Sequence, residues 1–75
     1  MRQIETSSGY CVVETADGLD ISVNGNFKCE LRGASLSQYE VDEDDDTATE
    51  FTEEDGETFY IDEYTLESDI EDAIS

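Results

Sequence analysis

Apolar and polar positions alternate in short runs through the first 32 residues, with the period of strands. Three runs rich in β-branched and aromatic residues, 10–15, 19–23 and 27–32, are each followed by a glycine turn, which predicts an antiparallel meander. Residues 1–9 hold one large apolar residue besides Met1, namely Ile4, and predict a lead-in or short edge strand. Beyond the meander, 36–41 reads as a further strand with Tyr39 and Val41 inward. Residues 47–52 and 57–62 then flank Glu53-Glu54-Asp55-Gly56 as a hairpin whose apolar residues are Phe51, Phe59 and Ile61, with Tyr60 on the opposite face. From Glu63 the period changes. Leu66, Ile70, Ala73 and Ile74 stand at i, i+4, i+7 and i+8, a helical stripe for which Asp62 is the N-cap, or Ser68-x-x-Glu71 the capping box of a shorter helix. The expected fold class is α+β: an antiparallel sheet of about five or six short strands, meander plus hairpin, with a short C-terminal helix.

Parity fixes an expected register, because opposed residues share a face. A strict two-residue turn at Asn24-Gly25 would point Phe27, Cys29 and Leu31 away from Ile21 and Leu19. An odd loop at Asn24-Gly25-Asn26, or an equivalent bulge, instead pairs Val23 with Phe27, Ile21 with Cys29 and Leu19 with Leu31. The same argument at Ala16-Asp17-Gly18 pairs Thr15 with Leu19, Val13 with Ile21 and Cys11 with Val23, and turns Glu14 to water. Cys11 and Cys29 would then share the core face with one strand between them, roughly 9 to 10 Å apart. That is too far for a disulfide, and both are expected to be free thiols packed as small hydrophobes.

Charge changes the picture more than composition does. Residues 34–75 hold 17 Asp or Glu and no Lys, Arg or His, whereas residues 1–33 hold five acids and all three bases, Arg2, Lys28 and Arg32. The single domain of 75 residues therefore divides into a near-neutral meander, 1–33, and an acidic hairpin and helix, 34–75, with a net charge of -19 in all. Crowded carboxylates repel one another and cost stability, and the five consecutive acids 42–46 are expected to form a solvated loop. The balance excludes direct binding to nucleic acid or to anionic membranes, and basic partners are expected. No stretch has the roughly 20 apolar residues of a membrane span, nor does the N-terminus read as a signal peptide, so a cytoplasmic protein is expected. So small a core is often supplemented by pairing, and a homodimer is one form the chain could take.

Catalytic chemistry finds little to use. There is no His, one Lys, no glycine-rich phosphate loop and no nucleophile with a neighbouring base, so a non-enzyme without cofactor is expected. Asp42, Asp44, Asp46 and Glu53 match the acidic skeleton of a calcium loop, but Thr47 stands where the turn glycine belongs and Thr49 where an apolar residue is usual; no specific metal site is expected. What remains is the array of carboxylates. DNA carries a phosphate about every 3.4 Å of axis per strand. Acids two apart on a strand are about 6.8 Å apart, and Glu63, Glu67 and Glu71 on a helix about 6 Å apart, so neighbouring elements together offer a similar density.

In size, extreme acidity, an exclusively acidic segment and tyrosines among the acids, the chain resembles as a class the small acidic inhibitors with which phages and mobile elements block restriction enzymes, CRISPR complexes and other DNA-binding proteins. The resemblance implies a nucleic-acid mimic that occupies the basic groove of such a partner, in the host cytoplasm if phage-encoded. Its contacts would be Asp42, Asp44, Asp45, Asp46, Glu53, Glu54, Asp55, Glu63, Glu67 and Glu71, with Tyr39, Tyr60 and Tyr64 beside them for arginine to stack on. Two other readings stand beside it: a salt-adapted acidic domain, and an acidic adaptor for another basic protein.

Overall fold

The computed structural model describes residues 2–53 and 55–75. Six short strands and one helix follow in order: β1 (Gln3–Glu5), β2 (Tyr10–Glu14), β3 (Gly18–Val23), β4 (Asn26–Arg32), a 3-10 turn over Leu36–Tyr39, β5 (Ala48–Thr52), β6 (Thr58–Asp62) and α1 (Glu63–Ile74). The α+β class, the meander, the hairpin and the C-terminal helix are as the pattern predicts. The strands divide into a four-stranded antiparallel sheet, β1-β2-β3-β4, and a two-stranded sheet, β5-β6.

The turn between β3 and β4 uses both expected devices at once. Asn24 and Gly25 have φ of 53° and 83°, the left-handed pair that suits a two-residue hairpin, so Val23 pairs with Asn26 rather than with Phe27. A bulge at Lys28 then restores the inward parity, and Ile21 pairs with Cys29 and Leu19 with Leu31 as expected. Phe27 precedes the bulge, shares the outer face with Ser22, and is 65% exposed.

The β2–β3 register corrects the expectation by one residue. Val12 pairs with Ile21, Cys11 with Ser22 and Glu14 with Leu19. The cause is a tighter turn: Thr15 N–H donates to Gly18 O (2.7 Å), and the Thr15 hydroxyl oxygen accepts from the amides of Asp17 and Gly18 at 3.2 and 3.1 Å. The side chain of Thr15 thus closes a two-residue turn where three were expected. Gly18 is required by proximity, since a Cβ there would stand 2.3 Å from Leu31 O.

The slip has two consequences. Val12, fully buried, takes the core position between Ile4 and Ile21, while Cys11 turns to the outer face; both cysteines are free, as expected, but they lie on opposite faces of the sheet. Glu14 moves to the inner face. Instead of facing water it accepts from the Leu36 amide at 2.9 Å and meets Arg2 Nε at 3.5 Å.

Residues 36–39 also depart from expectation, forming the 3-10 turn rather than a strand. Gln38 Oε1 accepts from the Ser35 amide at 3.2 Å, and the turn drives Leu36, fully buried, into the core. The chain becomes strand-like only afterwards, where Glu40 bridges Ile61 and the Val41 amide donates to Tyr60 O at 3.1 Å. One core results: Ile4, Val12, Leu19 and Ile21 from the large sheet meet Leu36, Ile61, Leu66 and Ile70, with Phe51 and Phe59 packed at its margin. The helix stripe is narrower than expected, because Ala73 is exposed and Ile74 is 44% exposed. Asp62 caps the helix, accepting from the Thr65 amide at 3.2 Å and from its hydroxyl at 2.7 Å.

Candidate partner-binding surface

The acidic loop is built of turns that leave its charges outward. The Asp45 amide donates to Asp42 O, and the Ala48 amide to Asp45 O, each at 3.0 Å. Asp45 Oδ1 accepts from the Thr47 hydroxyl at 2.6 Å and from the Thr47 amide at 2.8 Å, and these bonds hold its carboxyl below the usual range. Asp42, Glu43, Asp44, Asp45 and Asp46 are all exposed.

Pairing of Ala48 with Asp62 sets this loop at the same end of the hairpin as the start of α1. On the helix, Tyr64 is 81% exposed and lines a shallow depression with Glu67, Ser68 and Glu71. Glu63 and Glu67 are half-buried rather than fully outward: Glu67 accepts from the Ser8 amide at 3.1 Å, and Glu63 keeps one oxygen buried without a hydrogen-bond partner among the described residues. Tyr60 is half-buried on the hairpin's outer face and donates to Glu50 at 3.2 Å. Desolvation, that bond, and the charges of Glu50 and Glu43 raise its phenol pKa. Tyr39 is differently placed. It packs against the core and donates to Asp69 of α1 at 2.7 Å, and burial first, then this bond, pushes its pKa up to about 12.

The hairpin tip lies at the other end. Four steps of strand from Ala48 to Thr52 separate it from the acidic loop by about 14 Å. There Glu53, Asp55 and Glu57 can bring one oxygen each within 4.8 Å of the others, a grouping the sequence reading did not single out. Glu53 has one oxygen buried without a hydrogen-bond partner among the described residues, and Asp55 accepts from the Glu57 amide at 2.9 Å. Glu54 lies outside the described residues. β5 lies between Glu53 and the acidic loop, so of the calcium-loop skeleton Asp42, Asp44 and Asp46 stand in the loop and Glu53 at the hairpin tip with Asp55 and Glu57.

The expected contacts therefore form two groups, loop with helix and hairpin tip, rather than one concave site. Of the three bases, Arg2 is occupied by Glu14 and Glu40, Arg32 stands 3.8 Å from Glu30, and Lys28 is exposed at the β4 bulge. Comparison with family models, with curated proteins and with solved structures finds no match to this chain. No helix among the described residues is long and apolar enough to cross a membrane.

Proposed function

We propose that the chain is a nucleic-acid mimic that inhibits a nucleic-acid-binding protein, for example a restriction or CRISPR defence complex, by occupying its basic groove. One observation carries this reading: the loop 42–46 sets five consecutive exposed acids beside the acidic start of α1, and among the described residues no base forms an ion pair with them. Such an array repels itself, and a row of Lys and Arg is the partner that relieves it. Tyr64, exposed among Glu67 and Glu71, offers a guanidinium a face to stack on.

The test is competition. A partner captured from lysate is loaded with labelled nucleic acid and titrated with the protein. The variant Asp42→Asn, Asp44→Asn, Asp46→Asn keeps Asp45, which holds the turn. Its control removes the same number of charges at Asp17, Asp20 and Glu30. The loop variant is expected to lose displacement about tenfold or more, at about 0.5 kcal/mol for each of three exposed contacts. Equal losses would make net charge alone responsible. Binding of partner, protein and nucleic acid together would replace the mimic by an adaptor.

A further inference from the structure

A cleft of about 540 Å³ opens between β1 and the β5–β6 hairpin, lined by Gln3, Ile4, Glu5, Cys11, Thr52 and Glu53 among others. Both strands beside it are sheet edges: β1 ends the four-stranded sheet, and β5 is the outer strand of a pair whose other member is flanked by Glu40 and Val41. Arg2 O accepts from the Glu14 amide at 2.8 Å and the Thr6 amide donates to Tyr10 O at 2.8 Å, so even-numbered residues of this segment turn their backbone to β2. By alternation, Gln3 and Glu5 turn N–H and C=O away from the sheet. On β5 the Glu53 amide donates to Glu57 O at 2.9 Å, and the same alternation leaves the backbone of Thr52 and Glu50 outward.

We propose that this cleft takes an extended basic segment of a partner protein by strand addition to β1. Main-chain bonds to Gln3 and Glu5 would set the register, as in other sheet edges that receive a peptide. Glu5, Glu53 and Asp55 around the cleft select Lys or Arg at alternate positions, and the oxygen of Glu53 that is buried without a partner among the described residues gains a donor. Ile4 and Phe51 receive an apolar residue between them. Sheet edges are commonly guarded by charge, and a guard of carboxylates repels neutral and acidic strands while admitting basic ones. A second copy of this chain, at net charge -19, would bring Glu5 against like charge and is disfavoured as the occupant. The proposal shares Glu53 and Asp55 with the mimic reading and rests on it only in requiring a basic partner.

The probe is a synthetic peptide that alternates arginine with valine, against a control of the same composition interrupted by N-methylated residues. Hydrogen exchange followed by NMR on the unaltered protein should show protection gained at the Gln3 and Glu5 amides with the first peptide alone. Gln3→Pro removes one outward donor without altering charge or the β1–β2 ladder, and should weaken binding about fivefold, the worth of one net backbone hydrogen bond. The variant Asp42→Asn, Asp44→Asn, Asp46→Asn should bind the peptide within about twofold of the parent, which separates this site from the mimic surface. Equal binding of both peptides without protection at Gln3 and Glu5 would reduce the interaction to charge and overturn the proposal. So would absence of binding, or protection of the same amides by self-association without peptide.

Discussion

The guanidinium of Arg2 lies 5.0 Å from the centre of the Phe59 ring. It also meets Glu14 at 3.5 Å, bonds Ser37 Oγ at 3.2 Å and pairs with Glu40, so one side chain joins the edge of the large sheet to the 3-10 turn and the hairpin. In a chain with 22 acids this base is placed between Glu14, which turns to the inner face, and Glu40, which stays exposed.

Arg2→Ala should therefore lower stability by about 1–2 kcal/mol, combining the loss of a cation–π contact with half-exposed ion pairs. Arg2→Lys should recover only part, because an ammonium cannot serve the same partners with planar geometry. Urea denaturation measures both. An unchanged midpoint for Arg2→Ala would show that the sheets are joined by apolar packing alone.

Gly18→Ala should cost more than Gly9→Ala. Both glycines have positive φ, 154° and 94°, but a Cβ at Gly18 meets Leu31 O at 2.3 Å whereas at Gly9 it meets open space. Gly9→Ala should cost about 1 kcal/mol in backbone strain, and Gly18→Ala, which must also part β3 from β4, about 3 kcal/mol. Equal thermal shifts would remove the close approach as the reason for Gly18.

What the sequence made legible and what it hid both come down to parity. In β3 only Leu19, Ile21 and Val23 are apolar, so its inward face is unambiguous, and the pairs with Cys29 and Leu31 follow. In β2 Tyr10, Cys11, Val12 and Val13 are consecutive apolar residues, and alternation cannot choose between Val12 and its neighbours. The choice is made by the Thr15 hydroxyl, a turn signal that hydrophobic alternation does not register. The 3-10 turn was likewise signalled by Ser35 and Gln38, three apart like the members of a capping box. The loop 42–46 was readable because like charges must be solvated. The grouping of Glu53, Asp55 and Glu57 was not, since it depends on how the hairpin tip folds back.

Tyr39 gives a pH prediction. Its phenol is raised from 10.0 to about 12 by burial and by the bond to Asp69, so the folded state favours the neutral form. The stability this contributes is complete below the unfolded value of about 10 and is lost as pH rises through about 12. Tyr39→Phe should flatten the fall in stability across that window, and Asp69→Ala should lower the highest phenolate transition seen by ultraviolet titration. A titration unchanged by Asp69→Ala would show that the hydroxyl does not depend on that partner.

Salt distinguishes mimicry from salt adaptation more directly than any single residue. Screening shortens the reach of repulsion from about 8 Å at physiological ionic strength to about 3 Å at 1 M, so the melting temperature should rise with salt under either reading. The difference lies in where folding begins and in which acids matter. A mimic must be folded where basic grooves still attract it, at about 0.1 M, because charge contacts of this kind weaken steeply as salt rises. A salt-adapted domain would instead need about 1 M salt to fold. If the repulsion is concentrated in the loop 42–46, then Asp42→Asn, Asp44→Asn, Asp46→Asn should raise the melting temperature at low salt and flatten its salt dependence more than the same loss at Asp17, Asp20 and Glu30. The comparison leaves Glu14 in place, since its bond to the Leu36 amide makes it structural. Melting curves across this range decide the matter: unfolding at about 0.1 M would sink the mimic, and identical slopes for the two variants would show that the strain belongs to the whole surface.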